Sequence, residues 1–183
     1  MRNLFLLFII TFIYDLALAQ KEHKVLFENG NIKEYGSFDD NNDKIGKWQY
    51  FYENGVLRQI VNYINGYKEG EWKGYYKNGQ LWESGTDVRG KGYGEKKSYY
   101  DNGKLNSIGK LQNDKRIGLW KFYYKSGELK NTVEYVDGKS FGEVKWYHEN
   151  GVLDSFGRFE HGKQIGQWIY YDEKGNLIET KIY

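Results

Sequence analysis

Aromatic and polar positions recur along most of the chain with a period of 24 residues. The segment GKWQYFYENGVL at 46–57 returns in altered form as GEWKGYYKNGQL at 70–81 and as GLWKFYYKSGEL at 118–129. Six copies open on a glycine: Gly46, Gly70, Gly94, Gly118, Gly142 and Gly166. A second glycine follows nine residues after each of them: Gly55, Gly79, Gly103, Gly127, Gly151 and Gly175. A fixed period in this range is typical of a repeat array.

Each copy carries the signals of a β-hairpin. Four of the second glycines follow an asparagine, and Asn-Gly favours a two-residue turn of type I′, in which both residues adopt positive φ. We therefore predict that these glycines are structural turn residues. Counted outward from such a turn at 54–55, Trp48 lies opposite Val61 and Tyr52 lies opposite Leu57.

The same register makes further predictions about the two faces of the sheet. It places Asp101 opposite Lys104 and Lys125 opposite Glu128, which are favourable cross-strand pairs. Because side chains alternate along a strand, each tryptophan shares a face with the tyrosine and leucine near its turn. The opposite face carries a row of lysines: Lys73, Lys97, Lys121 and Lys145. This pattern predicts a half-buried antiparallel sheet.

Short polar segments such as NGYKEG at 65–70 and RGKGYG at 89–94 connect successive hairpins and predict a second set of turns. A single hairpin is only marginally stable, so each one needs neighbours to cover its aromatic side chains. We predict an all-β fold in which tandem antiparallel hairpins form one elongated, twisted sheet. The single repeat domain comprises residues 20–183, with units at 21–45, 46–69, 70–93, 94–117, 118–141, 142–165 and 166–183.

The first residues, MRNLFLLFIITFIYDLALAQ, have the organisation of a secretory signal peptide. Arg2 provides a short basic region, an apolar stretch follows, and Ala17-Leu18-Ala19 precedes a predicted cleavage site. Asp15 interrupts the apolar stretch, which is shorter than the ~20 residues that a membrane-spanning helix needs. We expect a signal peptide at 1–19 and export to the periplasm, the envelope or the extracellular space. The alternative is an uncleaved N-terminal membrane anchor.

The pattern Gly-x-Trp-x-x-Tyr-Tyr-x-x-Gly-x-Leu, found in GKWQYFYENGVLRQIVNYINGYKEG at 46–70, resembles the variant form of the MORN repeat. The resemblance covers nearly all of 21–183. It implies an extended, twisted array of β-hairpins with a role in scaffolding, protein binding or lipid contact. Bacterial arrays of this kind are described as antitoxin-like. Lys96 and Val144 depart from the pattern at the tryptophan position, and Asp172 departs from it at a tyrosine position.

Composition and charge reduce the number of ligand classes that we expect. A net charge of +2 provides little attraction to nucleic acid or to anionic headgroups, so no nucleic-acid partner is expected. Cysteine is absent and the histidines His23, His148 and His161 are far apart in sequence, so we expect no metal and no cofactor. His148 occupies the repeat position of Tyr52 and is expected to replace it there. The DDNNDK segment at 39–44 alternates like a calcium loop but lacks the required Gly and Glu, which favours a polar turn.

No catalytic motif is present, and we expect a binding protein rather than an enzyme. Five tryptophans are the candidate binding residues: Trp48, Trp72, Trp120, Trp146 and Trp168. Tryptophan and tyrosine are enriched at protein-binding hot spots; the alternative is that these rings form the core. The expected partner is another protein, with immunity against a toxin met outside the cytoplasm as one form of this role. Cell-wall glycan and a lipid surface are the alternative ligands.

Overall fold

The structure is a computed structural model that describes residues 20–183. The predicted signal peptide at 1–19 lies outside the described residues. Within 20–183 the chain forms fifteen antiparallel strands in one open sheet, with no helix that could cross a membrane. The all-β hairpin array predicted from the sequence is confirmed. The strands are β1 (Lys21–Leu26), β2 (Ile32–Phe38), β3 (Lys44–Phe51), β4 (Leu57–Ile64), β5 (Tyr67–Lys68), β6 (Gly70–Tyr75), β7 (Leu81–Val88), β8 (Lys91–Tyr99), β9 (Leu105–Gln112), β10 (Lys115–Tyr123), β11 (Leu129–Val136), β12 (Lys139–Tyr147), β13 (Leu153–Glu160), β14 (Lys163–Tyr171) and β15 (Leu177–Ile182).

Neighbouring strands in the sheet follow one another along the chain, so the sheet is a continuous meander. The short strand β5 is the exception, because it pairs only with β4 while β6 takes the next place in the sheet. Each hairpin contributes two strands, and strands lie about 4.8 Å apart. Equivalent residues in successive units are therefore separated by about 9.6 Å along the array.

Alternation divides the side chains between two faces. The tryptophan face carries Trp48, Trp72, Trp120, Trp146 and Trp168, and the lysine face carries Lys73, Lys97, Lys121 and Lys145. Trp48 pairs with Val61 and Trp72 pairs with Gly85, as the sequence register predicts. The strands are thus aligned as expected at the centre of each hairpin.

The hairpin turns differ from the predicted type. The N–H of Tyr52 donates to the Val56 carbonyl at 2.8 Å, and the Gly55 N–H donates to the Tyr52 carbonyl at 2.9 Å. Gly55 has a φ of 83°, whereas Asn54 does not have positive φ. The prediction of a two-residue type I′ turn is therefore wrong, and the loop is a type I turn followed by a left-handed glycine. The same pair of hydrogen bonds closes six further hairpins along the array.

This turn shifts the register of the residues beside it. Leu57 pairs with Phe51 and not, as predicted, with Tyr52. Arg58 is an extra residue on β4, and the predicted register resumes where Gln59 pairs with Tyr50. Such a bulge compensates for the longer loop. Leu57 and its equivalents consequently lie on the lysine face, which corrects their predicted place beside the tryptophans.

The predicted charge pairs within hairpins are wrong for the same reason. Tyr100 takes the place opposite Lys104, so Asp101 lies within the loop. Its carboxylate instead forms an ion pair with Lys125 of the next unit at 2.5 Å, and not the predicted pair with Lys104. Lys125 is thereby engaged across units and not, as predicted, with Glu128. The loops are linked to one another along one edge of the array.

The asparagine of each Asn-Gly pair also links neighbouring units. Asn78 Oδ1 accepts the N–H of Gln80 at 3.0 Å, and its Nδ2 donates to the Asp101 carbonyl of the next loop at 3.0 Å. Three other asparagines repeat this arrangement: Asn54, Asn102 and Asn150. Hydrogen bonding between units, rather than positive φ, therefore explains why asparagine stands at this position.

The second set of turns has the geometry that was expected of the first. Positive φ at two successive residues defines type I′ turns at Asn65-Gly66, Arg89-Gly90, Asn113-Asp114, Asp137-Gly138 and His161-Gly162. A bulge follows at each opening glycine. At Gly142, which has a φ of 79°, three residues of β12 lie opposite Val133 of β11. The tryptophan position of each unit follows two residues after this glycine.

Candidate functional site

The structure divides the five predicted tryptophans into two groups. Three belong to the core: Trp48, Trp120 and Trp168, at 0%, 2% and 2% exposed. Trp72 and Trp146 are half-buried. Trp146 lies one row away from the others, at the position equivalent to Tyr50, because Val144 occupies the tryptophan position of its unit. Burial leaves the first three almost no surface for a partner, so only Trp72 and Trp146 present their rings.

A glycine on the preceding strand explains why these indoles are buried. The Trp120 ring lies directly over Gly109, where a Cβ atom would be 2.2 Å from Cδ2 of the indole. Gly36 and Gly157 have the same relation to the other two core tryptophans, with separations of 2.3 and 2.2 Å. The Trp120 N–H donates to the Lys110 carbonyl at 3.1 Å. Each of these indoles thus fills the space that a side chain on the neighbouring strand would need.

Cations cover two of the core indoles. Lys44 Nζ lies 3.8 Å from the Trp48 ring centroid and donates to the Tyr50 hydroxyl at 2.8 Å. Arg116 Cζ lies 4.6 Å from the Trp120 centroid, and the guanidinium donates to the Tyr135 hydroxyl at 3.1 Å. Such cation–π contacts are attractive because the ring face is electronegative. These two cations therefore close the outer side of the aromatic clusters.

The tyrosine hydroxyls in these clusters remain protonated over the physiological range. Burial, with a smaller effect of the hydrogen bond to Tyr50, raises the pKa of Tyr63 to about 12. The two hydroxyl oxygens are 3.5 Å apart. A tyrosine with so high a pKa is poorly suited to accept or donate protons near neutral pH. We assign the pair a structural role.

The units at 70–93 and 94–117 interrupt the aromatic pattern. We call this part, centred on Trp72, Asp87 and Lys96, the polar centre. Lys96 stands where other units have tryptophan, and its Nζ forms an ion pair with Glu83 at 3.0 Å. Burial raises the pKa of the Asp87 carboxyl, which stands at the repeat position of Tyr63. A pocket of about 90 Å³ is lined in part by Trp72, Asp87 and Lys96.

Trp72 is placed differently from the core tryptophans. Val61 precedes it on β4, so no glycine is available there, and the indole lies over Gly85 of the following strand. A Cβ atom at Gly85 would be 3.0 Å from Cζ2 of Trp72. The Trp72 N–H makes no hydrogen bond of ordinary geometry within residues 20–183. Gly85 is free for this ring because Lys96 has replaced the indole that would otherwise cover it.

The sequence prediction missed the most exposed tryptophan of the chain. Trp82 is 45% exposed and lies over Gly74, 6.4 Å from the ring centroid of Tyr76. It occupies the extra position of the hairpin bulge, out of phase with the other tryptophans. The usable signal is the contrast with four other units, in which the same position holds Arg58, Asn106, Lys130 or Asp154, whereas the last unit holds Ile178.

A groove of about 330 Å³ lies on the tryptophan face along β11. Its floor consists of Asn131 and Val133, whose side chains are short. Its walls are Phe122 of β10 and Trp146 of β12, which pair with Asn131 from opposite sides. Trp120 leaves the floor open because its ring is turned toward Gly109. We call this feature the β11 groove.

The β11 groove has a defined charge and an unpaired polar atom. Lys130 lies near one end and Arg116 near the other, and none of the twelve lining residues is acidic. Asn131 is 2% exposed, and its Oδ1 has no hydrogen-bond partner among the described residues. An unsatisfied buried polar group costs about 1–3 kcal/mol, so such a group in a native sheet needs an explanation.

The lysine face carries a different repeated feature, which we call the aromatic–leucine row. Its six cross-strand pairs are Phe51–Leu57, Tyr75–Leu81, Tyr99–Leu105, Tyr123–Leu129, Tyr147–Leu153 and Tyr171–Leu177. All these residues are half-buried except Leu177, which is 62% exposed. The row follows the loop edge of the sheet through six units and keeps part of each ring accessible.

Tyr-Tyr dipeptides fix this row to the loop edge. The second tyrosine of each pair points away from the first, and the Tyr76 hydroxyl donates to the Tyr99 carbonyl of the next unit at 2.7 Å. The same bond is made by Tyr52, Tyr100 and Tyr124. His148 Nε2 lies 2.9 Å from the Tyr171 carbonyl, so His148 replaces the tyrosine in this bond, as the repeat position predicted.

Two segments with a superficial resemblance to ligand loops are turns. In DDNNDK, Asp39 Oδ1 accepts the N–H groups of Asn41 and Asp43, each at 2.9 Å, which makes a compact polar turn. RGKGYG contains the type I′ turn at Arg89-Gly90. Across residues 20–183, no three His, Asp or Glu side chains are grouped so that they could hold a metal ion.

One of three comparisons with known proteins identifies a family for this chain. A comparison with curated proteins gives no match. Among solved structures, the chain is similar to the crystal structure of the GtfA/B complex bound to UDP and GlcNAc, with 12% identity and a TM-score of 0.27. That match covers 74% of this chain but spans only 26% of the other, and it is too weak to bear on fold or function. The family described as MORN repeat variant matches residues 44–65, 68–86, 93–113, 116–137 and 142–155, more than half of the chain. Together with the 24-residue hairpin repeat, this match shows that the chain belongs to the MORN repeat variant family.

Proposed function

We propose that this protein is an exported, non-catalytic module that binds another protein through its lysine face. MORN repeats are generally protein-binding or membrane-binding modules. The observation that carries the choice of a protein is the aromatic–leucine row, which repeats through six units on an open face. Partly exposed apolar rows bordered by polar residues are typical of interaction surfaces.

The dimensions of the row favour an extended partner. Successive pairs are about 9.6 Å apart, so six pairs extend over roughly 48 Å. The rings are held by strand pairing and by the tyrosine bonds at the loop edge, so a partner orders few side chains when it binds. A scaffold that offers the same contact at fixed intervals is suited to a long or repetitive protein surface.

The charges beside the row favour a protein over a membrane. Three of the four lysines of this face have a glutamate one row away, namely Glu71, Glu95 and Glu143, whereas Leu119 stands beside Lys121. Lys97 already forms an ion pair with Glu95 at 2.6 Å. Binding to an anionic bilayer depends on an excess of basic residues near the surface. Alternating charges instead provide complementarity to a partner that also carries both signs.

The organisation of residues 1–19 supports export, so we expect the partner in the periplasm, in the envelope or outside the cell. If the partner is a toxin met outside the cytoplasm, the protein has an immunity function. A gene for a toxin-like protein beside the gene for this chain would support that function. Its absence would leave the general protein-binding proposal unchanged.

Affinity capture with matched variants tests the proposal. The processed chain is immobilised, envelope proteins are captured, and the dissociation constant of the main partner is then measured with purified components. The charge-reversed variant Lys97→Glu with Lys121→Glu alters the surface beside the row without touching a buried ring. The control variant, Arg58→Glu with Lys104→Glu, changes the same number of charges elsewhere.

We expect at least a tenfold loss of affinity for the lysine-face variant and less than a twofold change for the control. Circular dichroism of both variants shows that the sheet is intact. The proposal is wrong if no protein is enriched over the blank support, or if the two variants bind the partner as well as the original chain.

A further inference from the structure

We propose that the β11 groove binds an acidic polypeptide segment through one aromatic side chain. The inference rests on the proposed protein-binding function but assigns a second surface, on the opposite face of the sheet. Three observations carry it: the spacing of the groove walls, the charge of the lining and the unpaired amide of Asn131. Each indicates a different part of the ligand.

The spacing of the walls fits an inserted ring. Phe122 and Trp146 lie on strands that flank β11, about 9.6 Å apart. A ring placed between them would be about 4.8 Å from each, within the 4.5–7 Å that aromatic pairs prefer. The groove volume of about 330 Å³ lies at the lower end of the range for ligand pockets. An aromatic side chain therefore fits the groove between its two walls.

The charge of the lining indicates acidic neighbours. Lys130 and Arg116 flank a floor that runs from Asn131 to Tyr135, about 13 Å along the strand. Four residues of an extended chain cover that distance, which allows carboxylates on both sides of one ring to reach the two cations. Because no lining residue is acidic, neither cation has a carboxylate partner within the groove. An acidic segment supplies the missing charges.

The amide of Asn131 indicates a hydrogen-bond donor on the ligand. Its Oδ1 is buried and unpaired among residues 20–183, directly between the two wall residues. Equivalent positions on β4, β7, β9 and β13 hold Gln59, Glu83, Ser107 and Ser155, so the asparagine is particular to this unit. An indole N–H or a backbone N–H of the inserted residue satisfies this oxygen. A donor on the partner would thus pair with an oxygen that has no partner among residues 20–183.

A neutral sugar is a poorer occupant of this groove. Stacking on Trp146 would use the aromatic walls, but Lys130 and Arg116 would stay without counter-charges. An acidic oligosaccharide would supply those charges, so it is included in the test as a competing ligand. The continuous floor along one strand favours a polypeptide, which matches the strand in its repeat length.

The test uses the processed chain and a short synthetic peptide. The probe is a dye-labelled seven-residue peptide with one tryptophan flanked on each side by three glutamates and capped at both ends. Fluorescence anisotropy measures its binding at low and moderate salt. Two control peptides replace the tryptophan with alanine or the glutamates with lysines. An unlabelled oligosaccharide of glucuronic acid serves as competitor.

Matched variants locate the site. Asn131→Leu removes the amide while keeping the volume, and Gln59→Leu makes the same change at the equivalent position of another unit. Lys130→Glu reverses a charge of the groove, and Arg58→Glu reverses its equivalent. We expect the two groove variants to weaken peptide binding at least fivefold, while the two control variants change it less than twofold. Asn131→Leu should also unfold at the same or higher urea concentration, because it removes an unsatisfied polar group.

The inference is overturned if the peptide fails to bind at about 1 mM, or if groove and control variants bind it equally. Competition by the oligosaccharide together with equal binding of the alanine peptide would assign the groove to an acidic glycan instead. Loss of peptide binding with intact capture on the lysine face would refute the groove alone. Absence of any captured protein, with peptide binding retained, would refute only the proposed lysine-face function.

Discussion

The unit around Trp120 and the polar centre around Trp72 share the same hairpin loop and bulge but fill the tryptophan face differently. Trp120 is 2% exposed and lies 6.1 and 6.3 Å from the rings of Phe122 and Tyr135. In the polar centre, Gly74 and Asp87 stand at the positions of those two rings. The hairpin loops, the tyrosine bonds and the bulges are nonetheless the same in both regions.

The comparison shows that the backbone does not depend on one particular filling of this face. The polar centre lacks aromatic side chains that the other units have. It nonetheless keeps the left-handed glycine in each hairpin loop and the hydrogen bonds between successive loops. The filling follows a local rule instead. Each core indole lies over a glycine of the preceding strand, and none of these glycines lies under a second indole. Trp72, which follows Val61, uses Gly85 because Lys96 leaves it open.

The largest expected effect compares the two indoles themselves. Trp120→Ala should lower the free energy of unfolding by about 3–5 kcal/mol, because it removes a buried ring and leaves a cavity over Gly109. Trp72→Ala should cost about 1–2 kcal/mol, since this ring is only half-buried and its removal takes less apolar area out of the core. Urea unfolding followed by circular dichroism measures both. Equal losses would contradict the distinction between the two regions.

The next effect concerns the glycines beneath the indoles. Gly109→Ala should cost about 2–3 kcal/mol, because the new Cβ atom would lie 2.2 Å from Trp120 and the indole must move. Gly85→Ala should cost less than about 1 kcal/mol, because the nearest Trp72 atom is 3.0 Å away and at the rim of the ring. Both glycines lack positive φ, so alanine fits the backbone at either position. If urea unfolding shows a larger loss for Gly85→Ala than for Gly109→Ala, the close packing of the core indoles on glycine is not what stabilises them.

The sequence predicts the parts of this structure that depend on local alternation. The hairpin spacing, the two faces and the pairs of Trp48 with Val61 and Trp72 with Gly85 follow from period-2 counting. The turn type does not follow, because Asn54 is engaged with the next unit through its side chain. The preference of Asn-Gly for a type I′ turn takes no account of a hydrogen bond to a neighbouring unit. The resulting bulge then moves Leu57 to the other face.

The candidate site was less accessible from the sequence. Trp48, Trp120 and Trp168 recur at the same repeat position because each is needed to build the core of its unit. The turn glycines recur for the same structural reason, so repetition alone does not indicate a binding residue. Surfaces particular to one unit have no repeat signal to reveal them. Trp82 and Asn131 stand out only as departures from the residues at the same position in other units. In an array, departures from the repeat are the better guide to function.

Exchanging the two regions at the tryptophan position gives a sharper test. Lys96→Trp restores the repeat pattern, yet it should destabilise the sheet by about 1–2 kcal/mol because Trp72 already occupies the space over Gly85. The double variant with Trp72→Val and Lys96→Trp should recover stability, with a coupling of at least about 1 kcal/mol relative to the sum of the single changes. Valine is chosen because Val144 fills this position elsewhere. Additive effects would mean that the two side chains do not compete for one glycine.

The smallest expected effect concerns the carboxyl that replaces a ring in the polar centre. Burial raises the pKa of Asp87, while Lys68 and the Trp72 N–H partly oppose the shift. A raised pKa means that the folded chain favours the protonated carboxyl, so its contribution to stability is present below the ordinary value and is lost as the pH rises through the folded value. Asp87→Asn should therefore raise the stability at pH 7 by about 0.5 kcal/mol or less, since exposure to solvent weakens the effect. The gain should disappear near pH 3.5.

Asp137 provides the matched control for this pH dependence. The ion pair with Lys115 at 2.6 Å lowers the pKa of Asp137, so its contribution is present above the ordinary value and is lost as the pH falls. Asp137→Asn should accordingly lower stability at pH 7, the opposite sign to Asp87→Asn, and this loss should shrink as the pH falls below the ordinary pKa of an aspartate. Thermal unfolding of both variants at several pH values measures the difference. If both changes act with the same sign at neutral pH, then Asp87 is stabilised by its cations, and the polar centre is an ion-pair cluster instead of a weakened aromatic one.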